Sequence, residues 1–203
     1  MLFRSFFNIF KKDEEYKKVL EHCSYKIGRN HYREILQNNP KLLKDFPNVW
    51  DNDKYGGALI EDFDDIVSSS STMQYLNVVS NLMINFGNLD NLKIVEIGGG
   101  YGGQCKIIGD VFKYKQYSIV DLEEVNQLQS KYLSKFSKKN IKFYNFKNYP
   151  KDEKYDLLIS NYAFSEILEP LQTEYINNIL ANCKHGYITC NEKIKNFFNK
   201  IKI

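Results

Sequence analysis

The chain has 203 residues, 43% of them hydrophobic, which is enough for one well-buried domain with an appended segment. Its 28 basic and 25 acidic residues give a net charge of +3, too balanced to indicate nucleic-acid binding. The cysteines form no C-x-x-C pair, so we expect reduced thiols in a cytoplasmic protein. No set of side chains has a metal-ligand spacing, and we assign no metal ligand.

The first twelve residues contain an aromatic face. It is made by Phe3, Phe6, Phe7 and Phe10, beside Arg4, Lys11 and Lys12. The segment is far shorter than the ~20 residues of a membrane span, and no signal-peptide cleavage site follows it. Two interpretations stay open: peripheral attachment to an anionic membrane, or packing of the rings on the protein or on a partner chain. The shortness of the segment favours packing.

Helical spacing continues from about Lys12 to Gln37, with Gly28 predicted as a break. Prolines and paired glycines then indicate an irregular connection, and residues 62–71 a polar loop. The run Ser71-Thr-Met-Gln74 has the form of a capping box and predicts a helix with a core-facing stripe from Leu76 to Phe86. We divide the chain into an N-terminal helical lead-in and loop, 1–66, and an α/β domain, 67–203.

From Leu92 onward, short apolar runs alternate with amphipathic stretches. The predicted strands are 94–97, 118–120, 141–144, 156–160 and 187–190, and the predicted helices are 101–112, 123–136 and 170–181. This rhythm indicates a Rossmann-like α/β fold with a parallel sheet covered on both faces. Ligands of such sheets bind beyond the carboxyl ends of the strands, where we expect Glu96, Asp121, Asn145 and Asn161 to gather.

The segment 93–104 is a strand that runs into five glycines. Its glycines fit two patterns: G-x-G-x-x-G of dinucleotide sites, through Gly98, Gly100 and Gly103, and E-x-G-x-G-x-G of S-adenosylmethionine (SAM) sites, through Glu96, Gly98, Gly100 and Gly102. Glu96 favours SAM. Its carboxylate suits a cofactor with an amino group and a sulfonium charge, and it suits a pyrophosphate poorly.

Asp121 lies roughly 20 residues past the glycines, where an acid commonly accepts hydrogen bonds from ribose hydroxyls. The alternative interpretation is that Glu96 caps a turn and Asp121 caps the next helix. The other residues that we assign to the cofactor site are Gly98, Gly100, Tyr101, Gly102, Gln104, Leu122, Asn145 and Asn161.

The fourth strand runs into Ile159-Ser-Asn-Tyr-Ala-Phe-Ser-Glu-Ile167, which supplies the catalytic candidates. Methyl transfer to oxygen is an in-line displacement, and a hydroxyl acceptor needs a general base to take its proton. We predict Glu166 as this base, with Tyr162 beside it. Glu166 could instead be a structural carboxylate in a first helical turn, and His31 and His185 are alternative bases.

Four segments together resemble a known family. They are Val-Glu-Ile-Gly-Gly-Gly-Tyr-Gly-Gly at 95–103, Ile-Val-Asp-Leu-Glu-Glu-Val-Asn-Gln-Leu-Gln-Ser-Lys-Tyr-Leu at 119–133, Ser-Asn-Tyr-Ala-Phe-Ser-Glu at 160–166 and Tyr-Ile-Thr-Cys-Asn at 187–191. The chain resembles, over roughly 55–191, the sugar O-methyltransferases encoded among surface-polysaccharide genes. The resemblance implies SAM as the cofactor and a sugar hydroxyl, on a surface glycan or its precursor, as the acceptor. It leaves a homodimer open.

Two departures from this family bear on function. Glu123 stands where the family has proline, a small change at a helix start. The family's sheet has two further strands after the fifth, and residues 192–203 are too short for them, so we expect the sheet to lack its last two strands. The edge of the fifth strand would then invite self-association. A non-catalytic relative that acts as a binding or partner protein is therefore an alternative, and an NAD-dependent oxidoreductase is a lesser one.

Overall fold

The computed structural model describes residues 7–14, 16 and 23–190. They form two compact units whose segments alternate along the chain. The first contains the described residues up to Leu89, together with Gly102–Lys113 and Tyr132–Ser137; the second contains Asp90–Tyr101, Tyr114–Lys131 and the described residues from Lys138 onward. The division after residue 66 stays a prediction.

The first unit is built on two long helices, α1 (Tyr25–Asn38) and α2 (Ser70–Phe86). The predicted break at Gly28 is wrong, because α1 continues through it. A Cβ atom on Gly28 would lie 2.4 Å from the hydroxyl oxygen of Ser70. Glycine therefore serves the close approach of the two helices rather than a turn.

Two short antiparallel strands, β1 (Glu61–Phe63) and β2 (Ile66–Ser68), lie where the sequence predicted a polar loop. Phe63 is completely buried and anchors this hairpin in the first unit. Each strand has only three residues, too few for the alternation of polar and apolar residues to stand out in the sequence.

The N-cap of helix α2 lies two residues before the serine that begins the predicted capping box. This N-cap is Ser69, whose hydroxyl oxygen accepts a hydrogen bond from the backbone N–H of Thr72 at 3.1 Å. The hydroxyl of Ser69 in turn donates to Asp53 at 2.6 Å, and the hydroxyl of Ser68 donates to the same carboxylate at 2.7 Å. A carboxylate distant in sequence thus selects which serine caps the helix.

The N-terminal aromatic side chains that the structure describes pack inside the first unit. Phe7 and Phe10 are buried, and the ring of Phe10 lies 5.0 Å from that of Tyr16. These contacts favour packing over membrane attachment for both residues, while Phe3 and Phe6 lie outside the described residues. Within the described ranges, no helix is long and apolar enough to cross a membrane.

The second unit contains a five-stranded parallel sheet, counted over the described residues. Its strands are β3 (Lys93–Ile97), β4 (Gln116–Val120), β5 (Ile141–Tyr144), β6 (Tyr155–Asn161) and β7 (Cys183–Thr189), in the spatial order β5-β4-β3-β6-β7. This confirms the predicted Rossmann-like fold, although β7 begins four residues before its predicted start. Residues 191–203, on which the expectation of missing strands depends, lie outside the described part of the chain.

Further α-helices follow the strands of the sheet. They are α3 (Gly103–Val111), α4 (Glu123–Leu133), α5 (Ala163–Glu166) and α6 (Glu169–Asn178). The chain proceeds from β3 outward to β5 on one side, then continues with β6 and β7 on the other side. The strand order therefore reverses between β3 and β6, the position at which open parallel sheets bind ligands.

Candidate functional site

Backbone hydrogen bonds continue past the ends of the strands and bring the predicted residues to one edge of the sheet. The N–H of Gly98 donates to Val120 at 3.0 Å, and the N–H of Asp121 donates to Tyr144 at 2.9 Å. Beyond β6, the N–H of Tyr162 donates to Thr189 at 3.0 Å. The glycine loop, Asp121 and the segment after β6 therefore share the carboxyl edge of the sheet, as the sequence predicted.

The first turn of the glycine loop has a backbone that only glycine adopts readily. Gly98 and Gly100 have φ angles of 73° and 54°. A Cβ atom on Gly98 would lie 2.0 Å from the Cβ of Ala163, the first residue of α5. Gly98 thus fits both the turn and the close approach of the segment that carries the catalytic candidates.

Glu96 lies beneath this loop with 1% of its surface exposed. The hydroxyl of Tyr117 donates to its Oε2 at 2.9 Å. Burial raises the pKa of Glu96 to about 8; the hydrogen bond from Tyr117 lowers this pKa, and the charge of Asp121 raises it. The hydrogen bond from Tyr117 thus does not fully offset the cost of burying the charged carboxylate. A positive charge placed nearby would stabilise its ionised form.

Asp121 contacts the glycine loop through its carboxylate. The backbone N–H of Leu122 donates to Oδ1 at 2.8 Å, and the side-chain amide of Gln129 donates to Oδ2 at 2.8 Å. Burial raises the pKa of Asp121 to about 6, while hydrogen bonds from Leu122, Gln129 and the backbone of Gly99 and Gly100 lower it. The loop amides therefore already serve a protein carboxylate, and a pyrophosphate would have to compete with it.

The raised pKa of Glu96 predicts a pH-dependent stability. Between the ordinary pKa of 4.5 and the folded-state value of about 8, the folded protein keeps a proton that the unfolded chain has lost. The free energy of unfolding therefore falls as the pH rises through this range. We expect Glu96→Gln to raise the melting temperature at pH 8.5, and to raise it much less at pH 5.

Thermal unfolding followed by circular dichroism at both pH values measures this difference. Glu169→Gln is the matched control, because Glu169 is exposed. A melting-temperature gain for Glu96→Gln that is equal at pH 5 and pH 8.5 would contradict the prediction.

Two large apolar side chains are exposed at the same edge. Leu122 is 59% exposed and Phe146 is 43% exposed. Leu122 lies two residues after Val120, and Phe146 lies two residues after Tyr144. Val120 and Tyr144 are paired with each other between β4 and β5. An apolar, planar group such as a nucleoside base fits beside such side chains. Leu122 was predicted from the sequence as a residue of this edge, and Phe146 was not.

The two asparagines of the predicted cofactor set have protein partners. The side-chain amide of Asn145 donates to Glu123 at 2.7 Å, and its carbonyl oxygen accepts from the N–H of Lys147 at 2.9 Å. The carbonyl oxygen of Asn161 accepts from the hydroxyl of Thr189 at 3.3 Å. The bonds of Asn145 fix the turn after β5, and the bond of Asn161 joins the ends of β6 and β7. A cofactor role for either residue stays a prediction.

Three further residues of that set are placed as follows. Tyr101 is completely buried. Gly102 has a φ angle of 96° and is the N-cap of α3, and the buried Gln104 donates to the carbonyl of Tyr75 at 3.3 Å. Their assignment to the cofactor also stays a prediction.

Tyr162 has a strained backbone directly after β6. Its φ and ψ angles are 67° and −36°, a combination rare for residues other than glycine. Hydrogen bonds on both sides hold it: its N–H donates to Thr189, and its carbonyl accepts from the N–H of Ser165 at 2.9 Å. Such strain clusters at functional sites. The side chain of Tyr162 is 39% exposed, and Glu166, the last residue of α5, is exposed as well.

The two histidines proposed as alternative bases are placed as follows. His185 pairs with Leu157, four residues before the carboxyl end of β7. His31 belongs to α1 of the first unit; its Nδ1 lies 2.9 Å from the amide nitrogen of Asn77, and burial lowers its pKa. In the part of the chain that the structure describes, no three His, Cys, Asp or Glu side chains are grouped to hold a metal ion.

Solved structures share this architecture. A protein of Thermoplasma acidophilum matches with a TM-score of 0.50 and 15% identity, over 64% of this chain and 67% of its own. That likeness shows the fold alone. An S-adenosylmethionine-dependent methyltransferase of Clostridium acetobutylicum matches with a TM-score of 0.45 and 14% identity, over 82% of this chain and 58% of its own. This chain therefore spans about two thirds or less of the length of these two proteins. No protein-family model matches the sequence, and neither does any curated protein.

Proposed function

We propose that the second unit binds SAM and that the protein is a SAM-dependent methyltransferase acting on a sugar hydroxyl of a surface glycan or its precursor in the cytoplasm. The observation that carries this proposal is the buried carboxyl group of Glu96 and the half-buried one of Asp121, side by side at the carboxyl ends of the neighbouring strands β3 and β4. SAM brings a sulfonium, an ammonium group and ribose hydroxyls, which all suit carboxylates. A dinucleotide would bring two negative phosphates to the same place.

Each residue of this edge is assigned to a different part of the cofactor. Asp121 accepts hydrogen bonds from the ribose hydroxyls, and Glu96 balances the positive charge. Leu122 and Phe146 flank the base. SAM, when bound, supplies an electrophilic methyl group; the protein supplies the position of the acceptor and the group that takes its proton.

Glu166 is the proposed general base, and Tyr162 offers an exposed ring to the acceptor. The sugar as acceptor rests on the resemblance of segments 95–103, 119–133, 160–166 and 187–191 to sugar O-methyltransferases. A sugar hydroxyl is a weak acid, so an exposed carboxylate in the segment after β6 suits it.

A thermal-shift comparison of SAM, S-adenosylhomocysteine and NAD tests the cofactor. A ligand at 100 times its dissociation constant adds about 2.7 kcal/mol to the free energy of unfolding. We expect SAM and S-adenosylhomocysteine to raise the melting temperature and NAD to leave it unchanged. Stabilisation by NAD alone would indicate an oxidoreductase instead.

Transfer of a labelled methyl group from SAM tests the acceptor, with nucleotide-linked sugars, isolated polysaccharide and RNA offered in parallel. We expect label in a sugar-containing acceptor. Label in RNA would overturn the sugar assignment. Binding of S-adenosylhomocysteine without transfer to any acceptor would support the non-catalytic alternative.

The proposed contact between Asp121 and the ribose leads to a separate prediction. Asp121→Ala removes charge-assisted hydrogen bonds, so we expect S-adenosylhomocysteine to bind at least tenfold more weakly, on the order of 1.5–3 kcal/mol. The control is Asp156→Ala, since Asp156 lies near the amino end of β6, where it pairs with Lys184 at 2.6 Å. Titration calorimetry that gives the wild-type dissociation constant for Asp121→Ala would remove Asp121 from the site.

A further inference from the structure

Gln129 connects the two parts of the proposed cofactor site. It lies on α4 and is completely buried. Its side-chain nitrogen donates to the carbonyl of Gly100 at 2.9 Å and to Oδ2 of Asp121 at 2.8 Å. One amide group therefore ties the glycine loop to the carboxylate after β4.

The side-chain oxygen of Gln129 makes no such bond. The oxygen Oε1 of Gln129 is buried and has no hydrogen-bond partner in the described structure. An unpaired buried acceptor is unfavourable, so this oxygen contributes nothing to stability. What Gln129 contributes comes from the two bonds of its nitrogen, which fix a local geometry.

We infer that Gln129 is a positioning residue of the cofactor site, which holds the carbonyl of Gly100 and the carboxylate of Asp121 in the arrangement that binds the ribose. This inference rests on the proposed function. Its physical basis is that a carboxylate bound by several fixed donors has its remaining lone pairs aimed at defined positions. Without Gln129, the carboxylate loses one donor and the loop carbonyl loses its partner.

Gln129→Met tests the inference because methionine is unbranched and of similar length but donates no hydrogen bond. We expect S-adenosylhomocysteine to bind at least tenfold more weakly, with a change in melting temperature no larger than that of the buried control below. Gln129 also lowers the pKa of Asp121. As the pH falls, the variant should therefore lose its affinity at a pH about one unit higher than the wild type does.

Two controls on α4 separate positioning from stability. Gln127→Met makes the same substitution at an exposed position. Asn126→Leu breaks the hydrogen bond from the amide of this buried side chain to the carbonyl of Tyr144 at 2.9 Å. That carbonyl also accepts from the backbone N–H of Asp121, but the substitution removes no bond to the Asp121 carboxylate or to the glycine loop. We expect neither control to shift the pH profile of affinity, although Asn126→Leu lowers the melting temperature.

The pKa of Asp121 is followed independently by nuclear magnetic resonance of its carboxyl carbon in the ligand-free protein. The other titratable groups with charges that interact with Asp121 are Glu96 and Tyr175, and they are the same in every variant. An Asp121 pKa higher in Gln129→Met than in the wild type supports the inference. Wild-type affinity and an unchanged Asp121 pKa in Gln129→Met overturn it.

Failure of the proposed function gives a different result. A wild-type protein that binds no S-adenosylhomocysteine overturns that function, while the resonance titration still decides whether Gln129 sets the state of Asp121. If Gln129→Met does not fold, Gln129→Glu serves instead, since it keeps the shape and replaces the donor by an oxygen. Tight binding by a folded Gln129→Glu at pH 8 overturns the inference as well.

Discussion

Replacing Glu166 by glutamine is expected to lower turnover on a sugar acceptor by ~10²-fold or more, the usual contribution of a general base. The variant should bind S-adenosylhomocysteine nearly as well as the wild type, because the proposed cofactor contacts come from Glu96, Asp121 and the glycine loop. Glutamine keeps the size of the side chain and removes its ability to take a proton.

Glu169→Gln is the matched control for this measurement. Glu169 is exposed like Glu166 and lies three residues later, at the start of α6. We expect its turnover to stay close to that of the wild type. Steady-state kinetics with labelled SAM separates the two variants. Turnover of Glu166→Gln within a factor of two of the wild type would make Glu166 structural and place the base elsewhere on the carboxyl edge.

The sequence predicted the parts of the fold that depend on local pattern. Each of the five strands of the sheet overlaps its predicted position, because a parallel strand is a short apolar run bounded by polar turns. The sequence placed the glycine loop and Asp121 at the carboxyl edge for a similar reason, since a glycine-rich turn and an acid at a fixed distance leave a visible spacing.

The parts that the sequence did not predict depend on contacts between distant residues. Ser69 caps α2 because Asp53 binds its hydroxyl, and the capping-box pattern at Ser71 gave no sign of that contact. Gln129 appeared only as one polar residue in an amphipathic helix. Its two bonds to the carboxyl edge depend on where α4 packs, which the pattern does not encode. Phe146 was not predicted at this edge, because an exposed aromatic residue in a loop belongs to no periodic pattern.

Two glycines show the same limit of prediction from sequence, and the contact of one of them can be tested. Gly28 looks like a helix break in sequence and in fact lets two helices touch, while Gly98 looks like a ligand loop and also touches α5. A glycine in a sequence thus reports that a side chain is absent and does not say which neighbour requires this.

Gly98→Ala is expected to destabilise the protein by about 2–5 kcal/mol and to weaken binding of S-adenosylhomocysteine. Roughly 1–2 kcal/mol of this comes from placing alanine at a φ angle of 73°. A further ~1–3 kcal/mol comes from the new Cβ, which would lie 2.0 Å from the Cβ of Ala163 and must push α5 or the loop aside. Urea denaturation and titration calorimetry measure the two losses.

The chain offers a control that separates these contributions. Gly87 has the same φ angle of 73°, and no atom lies within 4 Å of the position of an added Cβ. Gly87→Ala should therefore cost only the conformational part and leave cofactor affinity unchanged. In the double variant Gly98→Ala with Ala163→Gly, the clash is removed, so stability and affinity should recover beyond the sum of the single effects. A Gly98→Ala variant no less stable than Gly87→Ala, or a double variant with no recovery, would show that the loop and α5 are not in this tight contact.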